Sequence, residues 1–235
     1  MCPGCRTWER IVLPGARPPE MRVAPFGERF LIFGVFQEGL TLPAPSCSLG
    51  NMGRKVMAEG MIRLVRARPE ELRDVMLAVQ EAFAPAVEES FGRNDYGPVP
   101  TDEDVQASFD APGAEVWHVV QGTERVGGAV VRIDAAGGHN VLDLFFLSPS
   151  CHGRGLGLAA WRALETMYPQ TRTWETVTPY FEKRNIHFYV NKCGFHIVEF
   201  FNARHRDSSL VVPLCRNGLP MPGMDEYFLF RKVMR

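Results

Sequence analysis

The chain has 235 residues, 46% of them hydrophobic and 23% charged, enough for one globular domain with residues to spare. Its 26 basic and 27 acidic side chains leave a net charge of -1, so no global field draws the protein to nucleic acid or to an anionic membrane, and a small-molecule or local-patch partner is expected. Six cysteines scattered along the chain do not make the dense framework of a small secreted module, which points to reduced thiols and a cytoplasmic protein.

Residues 1–60 intersperse Pro, Gly, Cys and Arg without a sustained period of 2 or 3.6, which predicts an irregular or disordered extension that is dispensable for folding. Its longest apolar run, Phe30 to Phe36, is about a third of the roughly 20 residues that cross a bilayer, and it lies too deep in the chain for a signal peptide. The domain is expected over residues 61–235. Met-Ile-Arg-Leu-Val-Arg-Ala from Met61 alternates as a strand, and Pro69, Glu70 and Glu71 stand where a helix begins. Leu72, Val75, Met76, Val79 and Phe83 form an amphipathic stripe. After the turn-rich stretch Phe91 to Pro100, Thr101-Asp-Glu-Asp caps a short helix that ends near Asp110.

The period then becomes two. Val116 to Gln121, Arg125 to Ile133 and Asn140 to Leu147 read as strands, joined by Gly122-Thr-Glu and Ala135-Ala-Gly-Gly; turns this short make antiparallel pairs. Beyond them the pattern alternates: helix Gly155 to Met167, strand Arg172 to Val177, helix Phe181 to Cys193, and strands Phe195 to Phe201 and Tyr227 to Val233. The irregular segment Asn202 to Gly223 is long for a compact domain and reads as a substrate lid.

Gly153, Gly155 and Gly157 follow the strand ending at Leu147 and precede an apolar helix stripe from Leu156 to Met167. Unhindered N–H groups at a helix N-terminus, with the helix dipole behind them, bind an anion. Arg154 adds a fixed cation, and His152 adds one only when protonated. A P-loop is excluded, because Leu158-Ala159 stands where Lys-Ser/Thr is required. Gly155-Leu-Gly-Leu-Ala-Ala satisfies the dinucleotide pattern G-x-G-x-x-A, with Glu175 about 20 residues on. Seven residues between Leu147 and Gly155, and antiparallel strands before them, make an NAD(P)-dependent oxidoreductase the remote alternative.

Leu-Ser-Pro-Ser-Cys-His-Gly-Arg-Gly-Leu-Gly-Leu-Ala-Ala, from Leu147 to Ala160, resembles motif A of the GNAT N-acetyltransferase superfamily, with His152 in place of the usual Arg or Gln. Asn185-Ile-His-Phe-Tyr-Val-Asn-Lys-Cys-Gly-Phe is similar to motif B of the same superfamily. The element order from Met61 to the C-terminus matches as well, and residues 1–60 lie outside the resemblance. It implies an α/β (α+β) domain with a mixed, mostly antiparallel central sheet flanked by about four helices. It further implies an N-acetyltransferase that moves an acetyl group from acetyl-CoA, as co-substrate, to a primary amine. The acceptor is a small molecule or peptide, no metal takes part, and a homodimer is compatible with such a domain. Phe146 and Leu147 would pair with the pantetheine amides. His152, Gly153, Arg154, Gly155, Gly157 and Leu158 would hold the pyrophosphate, and Asn185 would lie beside the thioester arm.

By the same resemblance Tyr189 is the proton donor to the leaving thiolate, although it stands five residues before Gly194 instead of the usual four. Its place on a stripe with Ile186, Val190 and Cys193 equally suits a core aromatic. Glu175 is the first candidate base. Asp143, expected to point away from a face shared by Leu142 and Leu144, is the second; either acid could be an ordinary salt-bridged carboxylate. The histidines lack metal-ligand spacing, as does the lone Cys2-Pro-Gly-Cys5. A catalytically silent CoA-binding or regulatory module is the main alternative. Glu88, Glu89, Asp95 and Asp207, on segments expected to line the acceptor pocket, favour a cationic amine.

Overall fold

The alternation from Met61 becomes strand β1 (Ile62–Arg66), and the stripe from Leu72 becomes helix α1 (Leu72–Phe91). The computed structural model describes residues 61–92, 97–207 and 226–235, with the backbone of two short strands beyond them. Helix α2 (Asp102–Asp110) starts as its capping box dictates: Thr101 Oγ1 accepts from the Asp104 N–H at 3.2 Å, and Asp104 accepts from the Thr101 N–H at 3.1 Å. Strands β2 (Ala114–Gln121), β3 (Glu124–Arg132) and β4 (His139–Leu147) form the meander. Then come α3 (Leu156–Met167), β5 (Thr173–Pro179), α4 (Lys183–His187), β6 (His196–Phe201) and β7 (Tyr227–Val233).

The strands form one seven-stranded sheet in the order β1-β2-β3-β4-β5-β7-β6. Every neighbouring pair is antiparallel except β4 and β5, because α3 carries the chain back over the sheet between those two. One face packs on α1 through Val79, Phe83, Val130, Leu144, Phe146 and Leu229. The other packs on α3 and the segment after α4 through Trp161, Leu164, Trp174, Tyr189, Phe195 and Phe230. Trp161 and Trp174 are fully buried core aromatics.

Three features depart from the sequence reading. Asp143 is the extra residue of a β-bulge: Val130 and Val131 are consecutive, yet they pair with Leu144 and Leu142. Leu142 and Leu144 therefore face opposite cores, and the face they were expected to share does not exist. Secondly, the single helix expected over Phe181 to Cys193 is a short α-helix followed by a π-helical turn, Phe188–Cys193. Thirdly, Arg29–Phe30 pairs in parallel with Leu210–Val211, a contact between the N-terminal extension and the expected lid. Most of that lid lies outside the described residues, as does Asp95.

Gly127 and Gly128 let β3 and β4 approach closely enough to fix Phe146. A Cβ on Gly127 would lie 2.2 Å from the Phe146 carbonyl oxygen, and one on Gly128 would lie 2.7 Å from the Phe146 ring. The first obstacle is backbone and cannot swing aside. Gly127→Ala is expected to cost about 1–3 kcal/mol by overpacking, read as a lowered midpoint in urea unfolding.

Candidate functional site

The loop between β4 and α3 has the form of an anion cradle. After a 3-10 turn at Pro149–Cys151, Gly153 and Gly155 both take φ near +73°, a conformation that costs an L-residue with a side chain about 1–2 kcal/mol. Gly155 is the N-cap of α3, and no side chain caps the helix. The first helical bond runs from the Ala159 N–H to the Gly155 carbonyl at 3.2 Å, which leaves the N–H groups of Leu156, Gly157 and Leu158 without acceptors inside the helix. A Cβ on Gly155 would meet no atom within 4 Å, so the space over the cradle is open. Arg154 is exposed beside it, and Leu158 is half-buried against the core.

His152 does something other than supply charge. Its Nε2 donates to the Leu147 carbonyl at 3.0 Å, tying the loop to the end of β4. Burial lowers its pKa below the ordinary imidazole value, and the nearby Arg184 guanidinium lowers it further against that hydrogen bond. The neutral ring is an anchor.

Beside the cradle the sheet opens. Strands β4 and β5 pair only at His139–Thr173, Asn140–Trp174 and Val141–Glu175, and Thr176 Oγ1 closes the apex by donating to the Leu142 carbonyl at 2.9 Å. From there the strands part, so Phe146 and Leu147 pair with Gly128 and Gly127 of β3 on one side only. The cleft thus has one limb in β4 with backbone edge on offer. At its apex a cavity of about 10 Å³ touches Arg132, Asp143, Glu175 and Thr176, room for about one water.

Both carboxylates expected as bases are held by guanidinium groups. Glu175 sits third in β5, opposite Arg231, whose Nε donates to it at 2.8 Å; the strand continues four residues beyond it, so it marks the apex of the cleft. Asp143 accepts from Arg132 at 2.9 Å, and both side chains are buried. The acids expected to draw a cationic amine are partly committed as well, since Glu89 binds Arg184 at 2.9 Å.

Tyr189 is 2% exposed, with its ring among Phe188, Phe195 and Phe230. Burial raises its pKa, and its hydroxyl is hydrogen-bonded to Thr176 at the cleft apex. The unusual spacing to Gly194 is explained by the π-turn: the Gly194 N–H reaches back five residues to the Tyr189 carbonyl, absorbing one extra residue. Asn185 is fully buried, and neither its Nδ2 nor its Oδ1 has a partner.

One charged group here was not anticipated. Glu182, the N-cap of α4, is 6% exposed, and its carboxyl is pushed up to about 7, chiefly by burial. Its offset of three from Asn185 places both on one helical turn, a signal available in the sequence, whereas its burial was not.

The family model described as "Acetyltransferase (GNAT) family" matches residues 66–195. The chain belongs to the GNAT acetyltransferase family. It is 51% identical over 181 residues, 77% of its own length and 98% of the relative's, to the uncharacterized protein YrkN of Bacillus subtilis (strain 168). Among solved structures, an acetyltransferase from Thermus thermophilus matches at TM-score 0.52 and 17% identity, covering 76% of this chain and all of that one. An acetyltransferase from Salmonella typhimurium that modifies the N-terminal serine of 50S ribosomal subunit protein L7/L12 matches at TM-score 0.51 and 12% identity, covering 74% and 96%. At these identities the likeness to the solved structures is one of fold. The sheet agrees with the GNAT assignment and not with a dinucleotide domain, because β4 and β5 are its one parallel pair. Among the described residues no helix is long and apolar enough to cross a membrane.

Proposed function

We propose that this GNAT protein transfers an acetyl group from acetyl-CoA to a primary amine. The observation that carries the reading is the uncapped α3 N-terminus behind Gly153 and Gly155, set beside the edge that β4 exposes where it parts from β5. An uncapped helix N-terminus suits a pyrophosphate, a free strand edge suits the amides of a pantetheine arm, and the orphaned amide of Asn185 supplies a further donor and acceptor. In this reading His152, Gly153, Arg154, Gly155, Gly157 and Leu158 bind the pyrophosphate, Phe146 and Leu147 pair with the arm, and Asn185 lies along it.

The thioester of acetyl-CoA supplies an activated carbonyl, so the protein has to place the amine, take its proton and return one to sulfur. The amine nitrogen bonds to the acetyl carbon and the carbon–sulfur bond breaks. Tyr189, neutral and aimed at the apex, gives its proton to the departing thiolate. Glu175, at the apex cavity, receives the amine proton through a single water. Its ion pair with Arg231 holds the carboxylate in place beside the cavity.

Titration calorimetry with acetyl-CoA tests the binding half of the reading, and thiol release over a panel of primary amines tests turnover. Gly155→Val is expected to weaken acetyl-CoA binding at least about tenfold, from the strain at positive φ and from a side chain entering the open cradle. Undetectable binding by the wild-type chain at millimolar acetyl-CoA would refute the reading. Binding without thiol release from any amine would instead favour a silent CoA-binding module, an alternative supported by the aromatic packing of Tyr189 and the pairing of both acids.

The domain proper is residues 61–235 in this reading, and it works in the cytoplasm. A chain starting at Met57 is expected to be soluble and to release thiol at the full-length rate; failure to fold would show that the extension is structural.

A further inference from the structure

Between residues 178 and 185 the chain buries four polar atoms that no protein group satisfies: Thr178 Oγ1, Glu182 Oε2, and Nδ2 and Oδ1 of Asn185. Thr178 and Asn185 are 0% exposed and Glu182 is 6% exposed. Buried polar atoms are nearly always paired, so a group of orphans in one short stretch calls for a partner that is not part of the chain.

Their placement indicates the partner. Thr178 lies on the limb of β5 that has parted from β4, two residues beyond Thr176 and therefore on the same face, toward α3. Glu182 folds back onto the end of that limb, its N–H donating to the Pro179 carbonyl at 3.2 Å. Its own carbonyl accepts from the Ile186 N–H at 3.1 Å, which starts the turn that sets Asn185 beside it. The charged groups facing Glu182 are Arg184 on its own helix and Glu89 on α1, which bind each other. Arg184 favours the ionised carboxyl, while burial and Glu89 oppose ionisation more strongly and leave it protonated up to about pH 7. A protonated carboxyl both donates and accepts, as a carboxamide does, and the complement to such groups is a secondary amide.

Resting on the acetyl-CoA reading above, we propose that Thr178, Glu182 and Asn185 form the second wall of the cofactor channel, with the Glu182 carboxyl donating a hydrogen bond to an amide carbonyl of the pantetheine arm. The β4 edge then holds one side of the arm and these three side chains hold the other. Glu182 is a binding residue in this arrangement, and it takes no part in the cradle at Gly155.

Titration calorimetry on the full-length chain at pH 6.5, with CoA and with ADP, tests this, because ADP carries the pyrophosphate without the amide arm. Glu182→Ala is expected to weaken CoA binding about tenfold and to leave ADP binding unchanged, as loss of one buried hydrogen bond from the arm requires. Glu182→Gln, which keeps a donor, should bind CoA within about threefold of the wild type. Should Glu182→Ala fail to give a cooperative thermal transition, Thr178→Val serves the same comparison with the same expectation. CoA binding that is unchanged in these variants, or lost in equal measure with ADP, overturns the second wall. Absence of CoA binding by the wild type overturns the CoA reading itself.

Discussion

Tyr189→Phe is expected to lower thiol release about a hundredfold at saturating amine, the effect of losing a positioned proton donor, with the KM for acetyl-CoA little changed. In the proposed reaction Tyr189 is a core residue in its ring and a site residue only in its hydroxyl. The ring packs against Phe188, Phe195 and Phe230, and phenylalanine preserves those contacts, so the thermal midpoint should hold. The hydroxyl bonds to Thr176, whose own proton goes to the Leu142 carbonyl where β4 and β5 part. Desolvation keeps the phenol protonated, which is the form a departing thiolate needs. Unchanged turnover in the variant would assign Tyr189 to the core alone and leave the thiolate to take its proton from water.

The glycine loop and the element order were legible because both rest on short-range chemistry. Positive φ at Gly153 and Gly155, the Thr101 capping box and period-2 alternation in β2 to β4 are all written in adjacent residues. What escaped depends on register. The bulge at Asp143 shifts pairing by one residue and sends Leu142 and Leu144 to opposite faces, and nothing in Val-Leu-Asp-Leu-Phe announces it. The partners of the two acids are equally long-range: Glu175 meets Arg231 across β5 and β7, and Asp143 meets Arg132 across β3 and β4. Both pairings were open from the sequence as ordinary salt bridges, but the particular guanidinium groups become visible only once strands are in register.

The displaced tyrosine illustrates the opposite case, in which a sequence irregularity was plain and its consequence was not. One extra residue before Gly194 would turn Tyr189 by about 100° on a regular helix, moving Val190 into its place. The chain instead widens to a π-turn over Phe188–Cys193, so the insertion is taken up locally and the aromatic ring stays in the core beside Phe195. His152 likewise stands where the family has a cation or an amide, and it contributes a tether to Leu147 in place of charge.

Glu182→Gln is expected to become more stable than the wild type as pH rises, by about 3 kcal/mol between pH 4.5 and pH 7, taking about 1.4 kcal/mol for each unit of pKa displacement. The folded-state pKa of about 7 lies above the ordinary value of 4.5. Between those values the folded chain holds a proton that the unfolded chain has released, so stability falls as pH rises and the loss is complete above about pH 7. Glutamine carries no such proton and shows no such slope. Glu71 has the reverse sign: Arg68 and Arg125 hold its pKa below the ordinary value, so its contribution is present above that value and is lost at lower pH, outside this window. Urea unfolding of both chains at pH 5 and pH 8 isolates the Glu182 contribution as the change in their difference. A constant difference would mean that Glu182 is solvated and ionised, and would remove its carboxyl as a donor to the cofactor arm. If the slope is found, CoA affinity should hold up to about pH 7 and weaken above it in the wild type and not in the glutamine variant, because the folded chain keeps up to that pH the proton that Glu182 donates to the arm.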